Sequence, residues 1–315
     1  MSIVLRRLFS PDRGSAARPT GLLLLGALAA CTALPALVPT STNVTEPTSP
    51  TVTTLQPSTT TSTVTSTTAN GSTTTTPIRD LDAEVTVPEG SGPFPAVVLV
   101  HGGSWIAGSP RSLERLAGHL ADNGYLVVNT RYELATLSDP SFPGALHDVA
   151  CAVRHAAHHP ASDGTVTLIG HSSGAHLAAV VALTGTLFGE GCGDTREAGA
   201  TGLIGLAGPY DITRLGMLAA PVFGVSLSDD PDLWASGNPM ELIDPDDGIA
   251  TLLIHGGADT VVPVRFSEDF AEALEEAGLT VDLEILEDVT HQTVIDPASI
   301  GEVVVSWLET RSQSA

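Results

Sequence analysis

Thr165-Val166-Thr167-Leu168-Ile169-Gly170-His171-Ser172-Ser173-Gly174-Ala175-His176-Leu177-Ala178-Ala179-Val180-Val181-Ala182-Leu183 is the stretch that decides the fold. Its first five residues form a short apolar strand and its last nine a helix. Between them stands a serine flanked on both sides by glycine. Glycine permits a turn too tight for side chains, so Ser172 is expected at the carboxyl edge of a sheet, above a helix N-terminus. Five letters of the pattern GxSxG also describe ordinary Gly/Ser turns. The flanking strand and helix are what favour the nucleophile reading here.

Outward from this turn the pattern alternates strand and helix. Ala96-Val97-Val98-Leu99-Val100 is continuously apolar, as befits a strand of a parallel sheet covered on both faces. Ser109-Pro110 supplies an N-cap and a first-turn proline for a helix that stops at Gly124. Residues 125–130 read as a strand and 145–158 as a helix ended by Pro160. Further strands fall at 202–207, 251–255 and 281–286, and the last two helices at 263–278 and 297–311. Such alternation predicts an α/β fold with a right-handed, mostly parallel central sheet, helices on both faces, and functional loops at the strands' carboxyl ends.

A serine hydroxyl becomes a nucleophile only when a base takes its proton, and the base needs a carboxylate to fix its tautomer. Downstream of Ser172, the strand 251–255 runs into Gly256-Gly257-Ala258-Asp259, and the last strand into Glu287-Asp288-Val289-Thr290-His291. Ser172, Asp259 and His291 therefore follow one another on three strand-terminal loops. Asp288 is a rival acid, less well placed because the Asp259 loop is expected to face the histidine loop. His101-Gly102-Gly103-Ser104-Trp105 directly follows the strand 96–100. The N–H groups of Gly102 and Gly103, with that of Ser173, are candidate donors to an oxyanion. His171 and His176 read as packing residues around the serine. Trp105 and Tyr210 fit either a substrate pocket or an aromatic core. His155, His158 and His159 have no carboxylate or cysteine at ligand spacing, so neither metal nor other cofactor is expected.

Taken together, these motifs resemble the alpha/beta-hydrolase superfamily, in its carboxylesterase and hormone-sensitive-lipase-like branch with His-Gly-Gly-x-Trp. BD-FAE-type acetyl-xylan and feruloyl esterases and kynurenine formamidase are similar. The likeness runs from Ala96 to Trp307 and includes Phe142-Pro143-Gly144-Ala145-Leu146-His147-Asp148, Gly208-Pro209-Tyr210-Asp211 and His255 to Asp259. Two positions depart from it: Ser173 replaces the usual alanine, and Ser104 a third glycine. The resemblance implies a serine hydrolase acting on carboxylic esters through an acyl-enzyme, with a small-molecule or acylated-glycan ester as substrate. Aryl formamidase or another amide or peptide hydrolase is the alternative, and a non-catalytic surface protein a more distant one.

The N-terminal third reads differently. Arg6, Arg7, Arg13 and Arg18 precede a short apolar run ending Leu28-Ala29-Ala30-Cys31. A basic region, a brief apolar region and small residues describe an export signal over residues 1–30, too short for a membrane span. Its ending resembles the bacterial lipobox, which implies a lipid on Cys31, attachment to a membrane, and a place in the cell envelope outside the cytoplasm. Residues 31–77 read as a linker; within 40–77, 24 of 38 residues are Ser or Thr. That composition cannot bury enough apolar surface to offset chain entropy, so disorder is expected. Residues 78–315 remain for one catalytic domain. All 13 basic residues are arginine, against 36 acidic ones, for a formal net charge of −23; this repels nucleic acid and anionic lipid. Cys151 and Cys192 are the other cysteines, and export permits a disulfide between them without demanding one.

Overall fold

The computed structural model describes residues 63–67, 73–77, 82–246 and 248–312. Residues 1–30, expected as an export signal, and Cys31 lie outside the described residues. Within the linker, β1 (Thr63–Thr67) and β2 (Thr73–Pro77) pair antiparallel. Threonine's β-branching favours extended backbone, and a lone two-stranded ribbon is marginal in water.

A seven-stranded sheet underlies residues 83–286. Its strands are β3 (Ala83–Thr86), β4 (Phe94–Val100), β5 (Leu126–Thr130), β6 (Ser162–His171), β7 (Gly202–Leu206), β8 (Ala250–Gly256) and β9 (Val281–Leu286). The spatial order is β3-β5-β4-β6-β7-β8-β9. Only β3 runs antiparallel; the other six are parallel, so their carboxyl ends share one edge. The principal helices are α1 (Glu114–Asp122), α2 (Gly144–His158), α3 (Ser173–Leu183), α4 (Ala220–Phe223), α5 (Pro231–Ser236), α6 (Arg265–Glu276) and α7 (Pro297–Ser312).

Side-chain alternation along β4 explains the layering. Ala96, Val98 and Val100 face a core shared with residues of α2, α3 and α6, whereas Val97 and Leu99 face a second core shared with α1 and α7. Each central strand is thus apolar on both faces, which a parallel sheet between two helical layers requires. Helix α3 is buried along its whole length, so it has no polar face to offer solvent.

Two local expectations change. The helix predicted from Ser109 opens as a 3-10 turn over Pro110–Leu113, and Ser109 makes no side-chain cap. Buried Asn129 donates from Nδ2 to the Pro110 carbonyl at 2.9 Å, and the Glu114 amide bonds Arg111 instead. The edge strand β3 was not anticipated, because its outward residues are mostly exposed and carry no apolar period.

Cys151 and Cys192 form a disulfide with Cα atoms 5.4 Å apart. The bridge pins the loop after α3 onto α2, beside hydrogen bonds from Arg154 to the carbonyls of Phe188 and Gly189. His147 Nδ1 accepts from the Gly189 and Glu190 amides on the same loop. Closing a loop across a sequence separation of 41 restricts the unfolded chain, a contribution of about 4 kcal/mol.

Candidate active site

Ser172 sits where β6 becomes α3, at φ 53° and ψ −122°. That conformation is sparsely populated for a residue with a Cβ and costs on the order of 1–3 kcal/mol. Neighbouring backbone holds it in place. The Ser172 amide donates to the Leu206 carbonyl of β7 at 2.9 Å, while its carbonyl accepts from the amides of Ala175 and His176. Close approach also explains Gly174, where a Cβ would strike the carbonyls of Val100 and His101. Helix, turn and two strands meet here with no room for a side chain.

The loops that carry Asp259 and His291 are laced to each other by main chain. Gly257 N–H donates to the Leu286 carbonyl at 2.8 Å, and Ala258 N–H to that of Val289 at 3.0 Å. These bonds bring Asp259, after β8, to face His291, after β9. His291 Nδ1 lies 2.7 Å from Asp259 Oδ2, and its Nε2 lies 2.9 Å from Ser172 Oγ. Asp288 is exposed and takes no part.

Four donors surround the Asp259 carboxylate. The amides of Val261 and Val262 bond Oδ1 at 2.7 and 2.9 Å, and His291 Nδ1 and His255 Nε2 approach Oδ2 at 2.7 and 3.3 Å. Burial by itself would raise this carboxyl; the hydrogen bonds outweigh it and hold the group below its ordinary value. His255 was missed as a site residue, since it looked like the end of an apolar strand. Its tautomer follows from its partners: Nε2–H donates to the Val262 carbonyl, so Nδ1 accepts from the Ser267 hydroxyl. Burial pushes His255 down, keeping it neutral beside the acid.

Ahead of the serine, Gly103 adopts φ 136°, and its carbonyl closes a turn with the amides of Ile106 and Ala107. Gly102 lies against Ser172 and His171, so close that a Cβ there would crowd both. Among the described residues, the amides of Gly102, Gly103 and Ser173 donate no backbone hydrogen bond. Tyr132 supports this turn through its hydroxyl, which donates to the His101 carbonyl at 3.0 Å; burial pushes its phenol up to about 12.

The flanking histidines are structural. His171 donates from Nε2 to the His291 carbonyl at 2.9 Å, fixing the main chain there. His176 accepts at Nδ1 from Trp105 Nε1 at 3.1 Å and donates from Nε2 to the Gly237 carbonyl at 2.7 Å. Trp105 and Tyr210 are core residues, at 3% and 0% exposure. His158 faces Asp194, which also pairs with Arg196.

Burial pushes both His171 and His176 down to about 4. Below an unfolded value of about 6.5 the unfolded chain therefore binds protons that the fold refuses, so stability falls as pH falls from about 6.5 to about 4. The loss is up to about 3 kcal/mol per ring. Urea midpoints should drop between pH 7 and pH 4.5, with a shallower drop in His176→Gln. A midpoint that climbs toward acid would contradict this account.

The whole site can accept a proton from a serine hydroxyl, stabilise the resulting imidazolium, and present free amides to a developing negative oxygen. Residues 84–274 match the model of the BD-FAE family. An isoprenylcysteine alpha-carbonyl methylesterase of Arabidopsis thaliana is 27% identical over 229 residues, covering 66% of this chain and 53% of that protein. Esterase LipC of Mycobacterium tuberculosis is 24% identical over 199 residues, covering 58% of this chain and 48% of that one. The chain thus spans about half the length of these relatives. Among solved structures, a truncated carbohydrate esterase from gut microbiota superposes with a TM-score of 0.64 at 19% identity, covering 73% of this chain and 90% of that one. A Thermogutta terrifontis esterase with bound butyrate gives 0.54 at 22% identity, covering 72% and 90% respectively; both share the fold. With the family model covering residues 84–274, the chain is an α/β-hydrolase that belongs to the BD-FAE family.

Proposed function

We propose that this protein is an exported, lipid-anchored serine hydrolase that cleaves carboxylic esters. His291 Nε2 removes the proton of Ser172 as Oγ attacks the ester carbonyl carbon. The carbonyl π electrons move to oxygen, and the amides of Gly102, Gly103 and Ser173 hold the oxyanion. Collapse of this intermediate expels the alcohol, which takes its proton from His291. Water, deprotonated by His291 in turn, then attacks the acyl-enzyme and frees the acid and Ser172. Asp259 keeps His291 in the tautomer with Nδ1 protonated and stabilises its cationic form.

The observation that carries this reading is the unbroken chain from Ser172 Oγ through His291 to Asp259, at 2.9 and 2.7 Å. Esterase relatives support the ester as substrate. Export and attachment rest on the residues before Cys31, with the lipid on that thiol, and the Ser/Thr-rich linker then holds the domain away from the membrane. The purified domain should hydrolyse p-nitrophenyl esters. The same assay run beside N-formylkynurenine separates the alternatives: turnover of the formamide without any ester would overturn the proposal.

A further inference from the structure

Ten large apolar side chains stand exposed among the described residues, and six of them lie on loops leaving the carboxyl ends of strands. These are Ile106 after β4, Leu137 after β5, Met217, Leu218 and Val225 after β7, and Val261 after β8. That edge of the sheet is where Ser172, Asp259 and His291 converge.

Hydrogen bonds tie the rim to the site. The Ile106 amide donates to the carbonyl of Gly103, the glycine of the oxyanion turn. Val261 donates its amide to Asp259 itself. The Ala135 amide bonds the Trp105 carbonyl, so the loop bearing Leu137 is fastened to the same turn. The segment with Met217 and Leu218 follows Arg214, which pairs with Asp269 of α6 and lies 5.8 Å over the ring of Phe266. This segment therefore spans from the end of β7, beside the nucleophile, toward the helix that follows the acid loop.

The rim's chemistry is selective. All ten exposed side chains are aliphatic. The chain has three tryptophans and three tyrosines, and Trp105, Trp234, Trp307, Tyr125, Tyr132 and Tyr210 are all buried. A sugar ring docks on a flat aromatic face with a polar edge, and none is exposed here. Met217, 91% exposed, is unbranched and adapts to a flexible apolar partner. A formal charge of −23 disfavours anionic substrates. Six apolar side chains left in water on the one edge that carries Ser172 are a surface for an apolar ligand.

We infer that the mouth of this site takes neutral esters bearing an aliphatic chain several methylenes long, in preference to acylated glycans. The inference rests on the esterase reading above. The chain can belong to the acid or to the alcohol, since the rim recognises only methylenes.

The test measures kcat and KM for p-nitrophenyl acetate through octanoate, and separately for methyl through octyl acetate, first below and then above their micellar concentrations. Partial burial of each added methylene should raise kcat/KM at least about tenfold from the shortest to the longest ester of one series, through KM. Met217→Ser with Leu218→Ser should lose most of that gain and leave acetate within about twofold. Leu187→Ser, on the opposite edge of the sheet, should change neither. Three results would overturn the inference while leaving the esterase reading intact: active hydrolysis with no chain-length gain, faster turnover of acetylated xylo-oligosaccharides, or a gain appearing only above the micellar concentration. No turnover of any ester, acetate included, would overturn both.

Discussion

Asp259→Asn is expected to lower turnover on the order of 10⁴-fold, while Asp288→Asn leaves it nearly unchanged. Oδ1 of Asp259 accepts two backbone amides, from Val261 and Val262. In the variant the amide oxygen must stay on those donors, which turns the NH2 group toward His291 Nδ1. The imidazole can answer only by accepting there, so its proton moves to Nε2 and points at Ser172. A base already protonated on that nitrogen cannot take the serine's hydrogen. The fold survives, because Asn retains the shape and the two backbone bonds. Asp288 is exposed and offers no such contact. Steady-state kinetics on both purified variants decide the point. The reverse ranking would move the acid to the other loop.

Much of this architecture was legible in the residues. The runs at 96–100, 126–128 and 202–206 are apolar on both faces, and they belong to the covered strands of a parallel sheet. Gly170-His171-Ser172-Ser173-Gly174 marked the turn because such backbone crowding admits only glycine. The order of serine, acid and histidine followed from which loops leave carboxyl ends. What could not be read depended on contacts between distant segments. Asp259, and not Asp288, lies against His291 because Gly257 and Ala258 bond the main chain of the histidine loop, a pairing no local pattern encodes. Trp105 looked as suited to a pocket as to the core, and its hydrogen bond to His176, 71 residues away, settles it. His255 hid inside an apolar strand, its role visible only once Asp259, Val262 and Ser267 surround it. Within residues 211–243, Phe223 and Trp234 turn inward, whereas Met217 and Leu218 face solvent.

Ser172→Ala tests the central claim most directly. Alanine has the same Cβ as serine, so the demand of φ 53° is met equally well and the variant should fold, as circular dichroism can verify. Only the oxygen that attacks the carbonyl is gone. The account predicts that ester turnover falls on the order of 10⁶-fold, together with loss of covalent labelling at residue 172 by a fluorophosphonate, read by peptide mass spectrometry. A folded Ser172→Ala protein that still hydrolyses esters at the native rate would contradict it.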